Sequence, residues 1–260
     1  MYFIAIVGPA GSGKTQLTSA FADWLKSHEL DVAVINLDPA VGYIPYSPDI
    51  DVRDYVTTQE VMKKYNLGPN GALLVSIDLL VNYIKEIRRE IDNMKPNYVL
   101  IDTPGQLEVF AYRKSGYVIL QGIVGDNKAV SVFLIDSYFA SQPSSLASML
   151  LLALSTSIRL KLPQIITVSK SDLLARDHMD RIVQWLEDPG FMVSDMLKEK
   201  DIVIPEELIY EIPRIGVSAA GDVLFTSSIT WEGMDELYAS IQRILVGGED
   251  YLTEEPSGRL

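Results

Sequence analysis

The sequence predicts an α/β fold, a mostly parallel central sheet with helices on both faces. Three observations carry this. Tyr2 to Val7, Val32 to Leu37, Tyr98 to Ile101, Ala129 to Ile135 and Gln164 to Val168 are apolar runs of strand length. Segments with helical spacing separate most of these runs, which is the alternation of a parallel sheet covered on both sides. The runs also end in Asp38-Pro39, Asp102, Asp136 or Ser169-Lys170, at the strand ends where ligands of open α/β sheets collect.

The first run leads into Gly8-Pro9-Ala10-Gly11-Ser12-Gly13-Lys14-Thr15. These residues match G-x-x-x-x-G-K-[ST] at every fixed position. The glycines let the backbone turn tightly and aim its N–H groups inward as an anion cradle. Lys14 would meet the β- and γ-phosphates, and the Thr15 hydroxyl would be a ligand of Mg²⁺. Leu17, Ala20, Phe21, Trp24 and Leu25 follow at the spacing of a helix with one buried face. Strand, loop and helix form the context that this motif needs, and they narrow the fold to a P-loop NTPase three-layer sandwich. A helix N-terminus adds favourable potential for phosphate.

The second strand stops at Pro39, which cannot donate to a ladder. Asp38 is therefore either a site carboxylate or a turn aspartate. Residues 40–56 are rich in Tyr, Pro and Asp and read as irregular surface. Thr57-Thr58-Gln59-Glu60 fits a capping box with Thr57 as N-cap, opening a short helix to about Asn66. Gly68-Pro69-Asn70-Gly71 reads as a turn, and a long helix is expected over about 72–93.

The third strand closes at Asp102 and runs into Thr103-Pro104-Gly105-Gln106-Leu107-Glu108. A carboxylate in this place binds Mg²⁺ directly or through water. The Gly105 N–H can meet the γ-phosphate and so sense its presence. Thr15, Asp38 and Asp102 thus converge as the metal-side residues. After the fourth strand a helix is expected over about 144–160. The fifth strand leads into Ser169-Lys170-Ser171-Asp172, similar to the guanine-reading pattern [NT]-K-x-D. An ionised carboxylate only accepts. It therefore suits guanine, which offers N1–H and its 2-amino group side by side, and not adenine, which offers a bare N1. The Lys170 stem can cover the base plane. Ser169 stands where Asn or Thr is usual, which puts one supporting hydrogen bond in question.

Residues of about 173–220 read as a helical insertion, with a strand signal at Ile202-Val203-Ile204. A last strand, Val223-Leu224-Phe225, leads into Thr226-Ser227-Ser228, which could offer backbone N–H groups to guanine O6. A helix over about 233–246 closes a single domain spanning 1–246, and 247–260 is expected to be a disordered tail.

Lys and Arg number 22 against 35 Asp and Glu, a net charge of −13. That balance argues against a broad nucleic-acid or anionic-membrane surface. The absence of cysteine excludes disulfides, zinc-thiolate and iron–sulfur sites, and cysteine nucleophiles. His28 and His178 are isolated, without metal-ligand spacing. The longest apolar stretch, around Leu146 to Leu154, is diluted by Ser and Thr. The first strand starts directly after Met1, leaving no room for a signal peptide. A cytoplasmic location is expected.

Taken together, Gly8 to Thr15, Asp38, Gly68-Pro69-Asn70, Asp102 to Gly105 and Ser169 to Asp172 resemble the GPN-loop GTPases, almost throughout the chain to about residue 246. The Gly-Pro-Asn tripeptide between helices narrows it to that family. The resemblance implies GTP/GDP and Mg²⁺ as ligands and a homodimer with facing sites. In it the Gly68-Pro69-Asn70 loop enters the partner's site and Asn70 meets the γ-phosphate. It makes Asp38 the switch aspartate that positions or activates water, with Gln106 and Glu108 near the attacking water. It also suggests a protein client, since eukaryotic members assist RNA polymerase assembly. Two other functions compete with a hydrolytic switch. One is a phosphate-loop kinase for a small molecule. The other is a nucleotide-gated binding protein with negligible turnover.

Overall fold

A computed structural model describes residues 1–199 and 204–247. The chain runs β1 (Tyr2–Val7), α1 (Lys14–Ser27), β2 (Val32–Asn36), β3 (Ile50–Asp51), α2 (Thr58–Tyr65), α3 (Pro69–Leu80), α4 (Ile84–Met94) and β4 (Tyr98–Asp102). It continues through α5 (Leu107–Ala111), α6 (Lys114–Val124), β5 (Lys128–Asp136), α7 (Ser137–Ala140), α8 (Pro143–Leu160) and β6 (Gln164–Ser169). The last part holds α9 (Arg176–Glu187), α10 (Pro189–Met196), α11 (Glu206–Ala220), β7 (Val223–Thr226) and α12 (Met234–Val246). Among the described residues the strands form one sheet in the order β3-β2-β4-β1-β5-β6-β7. Every pairing is parallel.

The sheet is apolar on both faces, which is why its strands read as continuous hydrophobic runs. Along β1, Phe3, Ala5 and Val7 face one core with Ile77, Leu80, Ile87, Phe110, Leu120 and Leu150 from helices α3 to α8. Ile4 and Ile6 alternate onto the other face and pack with Phe21 and Trp24 of α1 and Leu237 and Ile241 of α12. This is the expected three-layer sandwich.

Several elements depart from the expectation. The irregular stretch 40–56 contains β3 and a short 3₁₀ turn at Val52–Asp54. The long helix is two helices, α3 and α4, joined by a 3₁₀ turn at Val81–Tyr83. Its apolar stripe runs straight through that turn, so periodicity alone does not reveal the break. Gly68-Pro69-Asn70 is less a free turn than the start of α3, with Gly68 as N-cap and Pro69 in the first turn, where its missing N–H costs nothing. The stretch expected as an insertion folds as α9, α10 and α11, with Pro213 inside α11. Ile204 lies in a bend, while Ile202 and Val203 fall outside the described residues, as does the expected tail beyond Gly247. The Thr57 cap holds, its hydroxyl accepting from Glu60 N at 3.2 Å. At 18 residues, α8 meets the length and hydropathy of a membrane span. However, Leu146, Ala147, Leu150 and Ala153 are buried in the domain core, so α8 is accounted for as a core helix.

Candidate functional site

The loops that follow β1, β2, β4, β6 and β7 meet at one edge of the sheet. Parallel register places their ends together: Ile6 and Asn36 both pair with Asp102, and Ser169 pairs with both Asp136 and Thr226. β1 lies at the centre, where strand order reverses, and such switch points open a crevice at the carboxyl ends.

Gly8 to Thr15 wrap the N-terminus of α1 as a tight cradle. Gly8 has φ +152°, and a Cβ there would sit 2.8 Å from Ser12 Oγ and 2.9 Å from the Leu134 carbonyl. Gly13 caps α1 at φ +91°. Only glycine takes both conformations cheaply. Lys14 is 5% exposed. Its ammonium donates to the carbonyls of Gly8 and Pro9 at 2.9 Å and of Gly105 at 3.2 Å. It thus spans the cradle and the loop after β4. Burial pulls its pKa down to about 8, against the opposing charges of Asp102, Asp38 and Glu108. Ala10 and Gly11 are exposed on the outer rim.

Asp102 is 1% exposed. Burial pushes its pKa up to about 6, while the Tyr46 hydrogen bond, the nearby Thr15 hydroxyl and the Lys14 charge pull it back. The Tyr46 hydroxyl donates to Asp102 Oδ2 at 2.8 Å. Burial first, and then the Asp102 charge, drive the Tyr46 pKa far upward, so the hydroxyl keeps its proton. Asp102 Oδ1 is buried without a hydrogen-bond partner. A buried orphan acceptor beside a hydroxyl and a phosphate cradle suits an oxygen-loving cation that takes few protein ligands. Thr15 and Asp102 are therefore the pair that fits Mg²⁺. Among the described residues no group of three or more His, Cys, Asp or Glu side chains forms a self-sufficient metal cage.

Asp38 makes two hydrogen bonds, one within its own turn and one across to the loop after β4. One oxygen, Oδ1, accepts from Ala40 N at 2.9 Å as a turn aspartate. The other, Oδ2, reaches across to accept from Gly105 N at 3.1 Å. Both oxygens are engaged, so direct metal binding would require Asp38 to release one. Its backbone is fixed by Asn36, whose fully buried side chain accepts from Asp38 N at 3.0 Å and donates to Asp51 Oδ1 at 2.9 Å. Arg53 grips Asp51 through both carboxylate oxygens and donates to the Val41 carbonyl at 3.2 Å. Burial works to raise the Asp51 pKa, but the Arg53 and Asn36 hydrogen bonds outweigh it and hold the carboxyl below its ordinary value. Asn36, Tyr46, Asp51 and Arg53 brace the Asp38 and Asp102 carboxylates, and sequence reading missed them. The one available signal was Asn36, a polar residue inside an apolar strand run. Gln106 and Glu108 are exposed at the start of α5; Glu108 lies close enough to influence the Lys14 charge.

Beyond the cradle, Gly13, Gln16, Ser169, Lys170, Asp172, Leu173, Ser228 and Ile229 enclose a cavity of about 200 Å³. Ser169, which stands where Asn or Thr is usual, makes a hydrogen bond to the cradle. Its hydroxyl donates to the Ser12 carbonyl at 2.7 Å, tying this loop to the phosphate cradle. Lys170 sits at φ 59° and donates to the Gly11 carbonyl at 2.8 Å and to Asp136 at 2.5 Å, so its stem lies along the cavity wall. Asp172 Oδ1 accepts from the Ser227 hydroxyl at 2.5 Å. Ser227 is fully buried, and its oxygen also accepts from Ile229 N and Thr230 N at 3.2 Å. The Thr226 side chain turns into the sheet and pairs with Thr167 at 3.0 Å; of the backbone groups expected to meet guanine O6, Ser227 N already donates to the Glu232 carbonyl at 3.0 Å, and Ser228 lines the cavity.

Asn70 stands apart. With Gly68 and Pro69 it is exposed on the first turn of α3, and no described hydrogen bond ties its side chain to the cradle.

A family model described as a conserved hypothetical ATP binding protein matches residues 6–246. The chain is 32% identical over 238 residues to GPN-loop GTPase PAB0955 of Pyrococcus abyssi, covering 90% of this chain and 93% of that protein. It belongs to the GPN-loop GTPase family. The solved structure of PAB0955, a GTPase in apo form, superimposes with a TM-score of 0.82 at 31% identity, covering 94% of this chain and 97% of that one. That likeness agrees with the parallel sheet and the placement of its helices. GPN-loop GTPase 1 of Dictyostelium discoideum is 31% identical over 258 residues, covering 95% of this chain. This GPN-loop chain spans 62% of that relative's length and 64% of GPN-loop GTPase QQT2 of Arabidopsis thaliana.

Proposed function

We propose that the chain binds GTP and GDP with Mg²⁺, hydrolyses GTP to GDP and phosphate, and works as a conformational switch in a homodimer. The observation that carries this reading is the joining of two half-sites. The Ser169–Ser12 hydrogen bond fastens the Asp172 cavity to the cradle, so one nucleotide can fill both. Asp172 presents acceptors to the base, which guanine matches and adenine does not. The description attached to the family model names ATP; the carboxylate at Asp172 and the names of the relatives favour GTP.

The phosphate chemistry follows from groups already in place. Lys14 would exchange its carbonyl partners for β- and γ-phosphate oxygens, and the cradle N–H groups would add further donors. Bound Mg²⁺, held by Thr15 and Asp102, would neutralise charge on the phosphate oxygens. Gly105 N–H would leave Asp38 for the γ-phosphate, freeing Asp38 Oδ2 to orient the attacking water. Loss of the γ-phosphate would return Gly105 to Asp38. The same N–H thus reports on the γ-phosphate and controls the water-positioning carboxylate.

The test is titration with GTP and ATP in Mg²⁺, followed by phosphate release with no acceptor present. Preference for GTP with phosphate release supports the reading; equal affinity for ATP removes it. Action in trans by Asn70 rests on its exposure at the start of α3 and on family membership. A twofold dimer presents the same loop from both subunits. Lys14→Ala and Asn70→Ala homodimers should each be nearly inactive, while verified mixed dimers regain part of the activity. No recovery in mixed dimers would count against action in trans.

A further inference from the structure

We infer that Tyr46 is a positioning residue for the metal side of this site: its hydroxyl fixes the Asp102 carboxylate through Oδ2 and leaves Oδ1 as the open acceptor. This rests on the reading above, in which Thr15 and Asp102 hold Mg²⁺ beside a guanine nucleotide. The geometry is direct. A carboxylate can turn about its terminal bond, whose energy is broad and roughly two-fold. One donor from a fixed ring selects one orientation. The Tyr46 hydroxyl is that donor, 2.8 Å from Oδ2, and the other oxygen is buried with no partner.

Tyr46 comes from a loop that is itself held at both ends. On one side Arg53 donates to the Val41 carbonyl at 3.2 Å. On the other, Asp49 N donates to the Val34 carbonyl, and Asp49 Oδ2 accepts from Val34 N, each at 2.8 Å. The ring packs beside the core that contains Ile4 and Leu100. The hydroxyl is therefore delivered to Asp102 by a scaffold anchored elsewhere. The loop between β2 and β3 acts on the metal through this one bond, and Tyr46 need not touch nucleotide or metal.

Tyr46→Phe keeps the ring and removes only the donor. The assay is dissociation of a fluorescent GDP analogue from the whole chain over a range of Mg²⁺ concentrations, with an EDTA control. A hydrogen bond to a charged group is worth enough to shift the Mg²⁺ midpoint upward about tenfold. Affinity in EDTA should stay unchanged, because the base and phosphate contacts are intact. An unshifted midpoint overturns the inference. So does a lowered midpoint, which would mean that the hydroxyl competes with the metal, and so does equal weakening with and without Mg²⁺, which would mean that the ring only supports the fold. If the unmodified protein binds GDP with no response to Mg²⁺, the metal reading itself fails and takes this inference with it; a responsive protein with an unmoved variant sinks the inference alone.

Discussion

Asp172→Asn should convert the base site from guanine to xanthine, and the structure gives the reason. An asparagine could present either its oxygen or its amide nitrogen to the cavity. Ser227 decides between them. Its oxygen already accepts from Ile229 N and Thr230 N, so its proton is left to donate to the residue at position 172. The asparagine oxygen would take that proton and the NH₂ would face the base. Guanine then loses a charge-assisted bond of about 1.5–3 kcal/mol and gains a donor–donor mismatch of about 1–3 kcal/mol. The sum is about 2.5–6 kcal/mol, or roughly a 10²- to 10⁴-fold loss of GDP affinity. Xanthine carries an oxygen where guanine has the amino group, so it accepts from the NH₂. Calorimetric titration with GDP and XDP checks both halves. Adding Ser227→Ala frees the amide to flip and should return part of the guanine affinity. The reasoning is refuted if Asp172→Asn binds GDP within about threefold of the unmodified protein, or gains nothing for XDP.

Asp38→Ala should lower kcat more than GTP affinity, since water positioning matters mainly in the transition state; steady-state kinetics beside equilibrium binding would show an unaltered rate if the assignment is wrong. Burial holds Asp102 near pH 6 in the folded state, above its ordinary 3.8. The folded protein therefore holds that proton more tightly than the unfolded chain. The resulting stabilisation is complete below the ordinary value and lost as pH rises through 6, leaving a cost on the order of 3 kcal/mol at neutral pH. Asp102→Asn should accordingly melt higher than the unmodified nucleotide-free protein at pH 7, by several degrees, with the gap closing toward pH 4; thermal scans across that range that show a constant gap would contradict this. Metal binding needs the ionised carboxylate, so the Mg²⁺ midpoint for nucleotide retention should rise as pH falls below 6, and a flat pH profile would exclude Asp102 as a ligand.

The sheet was legible because β1, β2, β4, β5 and β6 are buried on both faces and carry mostly apolar runs. β3 was not, because two residues, Ile50 and Asp51, have no period to detect. Residues 107–124 give α5 and α6, whose apolar positions Val109, Phe110, Ile119, Leu120 and Ile123 lie too close to the Asp102 loop to announce separate helices. In the site, Gly8 to Thr15 and Asp102 to Gly105 were readable because their chemistry is set by neighbours in sequence. Tyr46 and Arg53 were not. Tyr46 meets Asp102 across 56 positions, and nothing local distinguishes it from the exposed Tyr43. Asp38 was readable as a candidate, but its bond to Gly105, 67 positions away, emerges only once β2 and β4 lie side by side. Ser169 looked like a weakened motif, yet the sheet register brings its short side chain within reach of the Ser12 carbonyl.

The most direct test of the central claim is a single-turnover reaction of GTP, labelled at the γ-phosphate, with excess protein and Mg²⁺ but no acceptor. The account predicts one free phosphate and one GDP per GTP consumed, with little turnover of ATP under the same conditions and none of GTP by Lys14→Ala. GTP that is bound tightly yet recovered intact, or a γ-phosphate released only when a small-molecule acceptor is added, would contradict it.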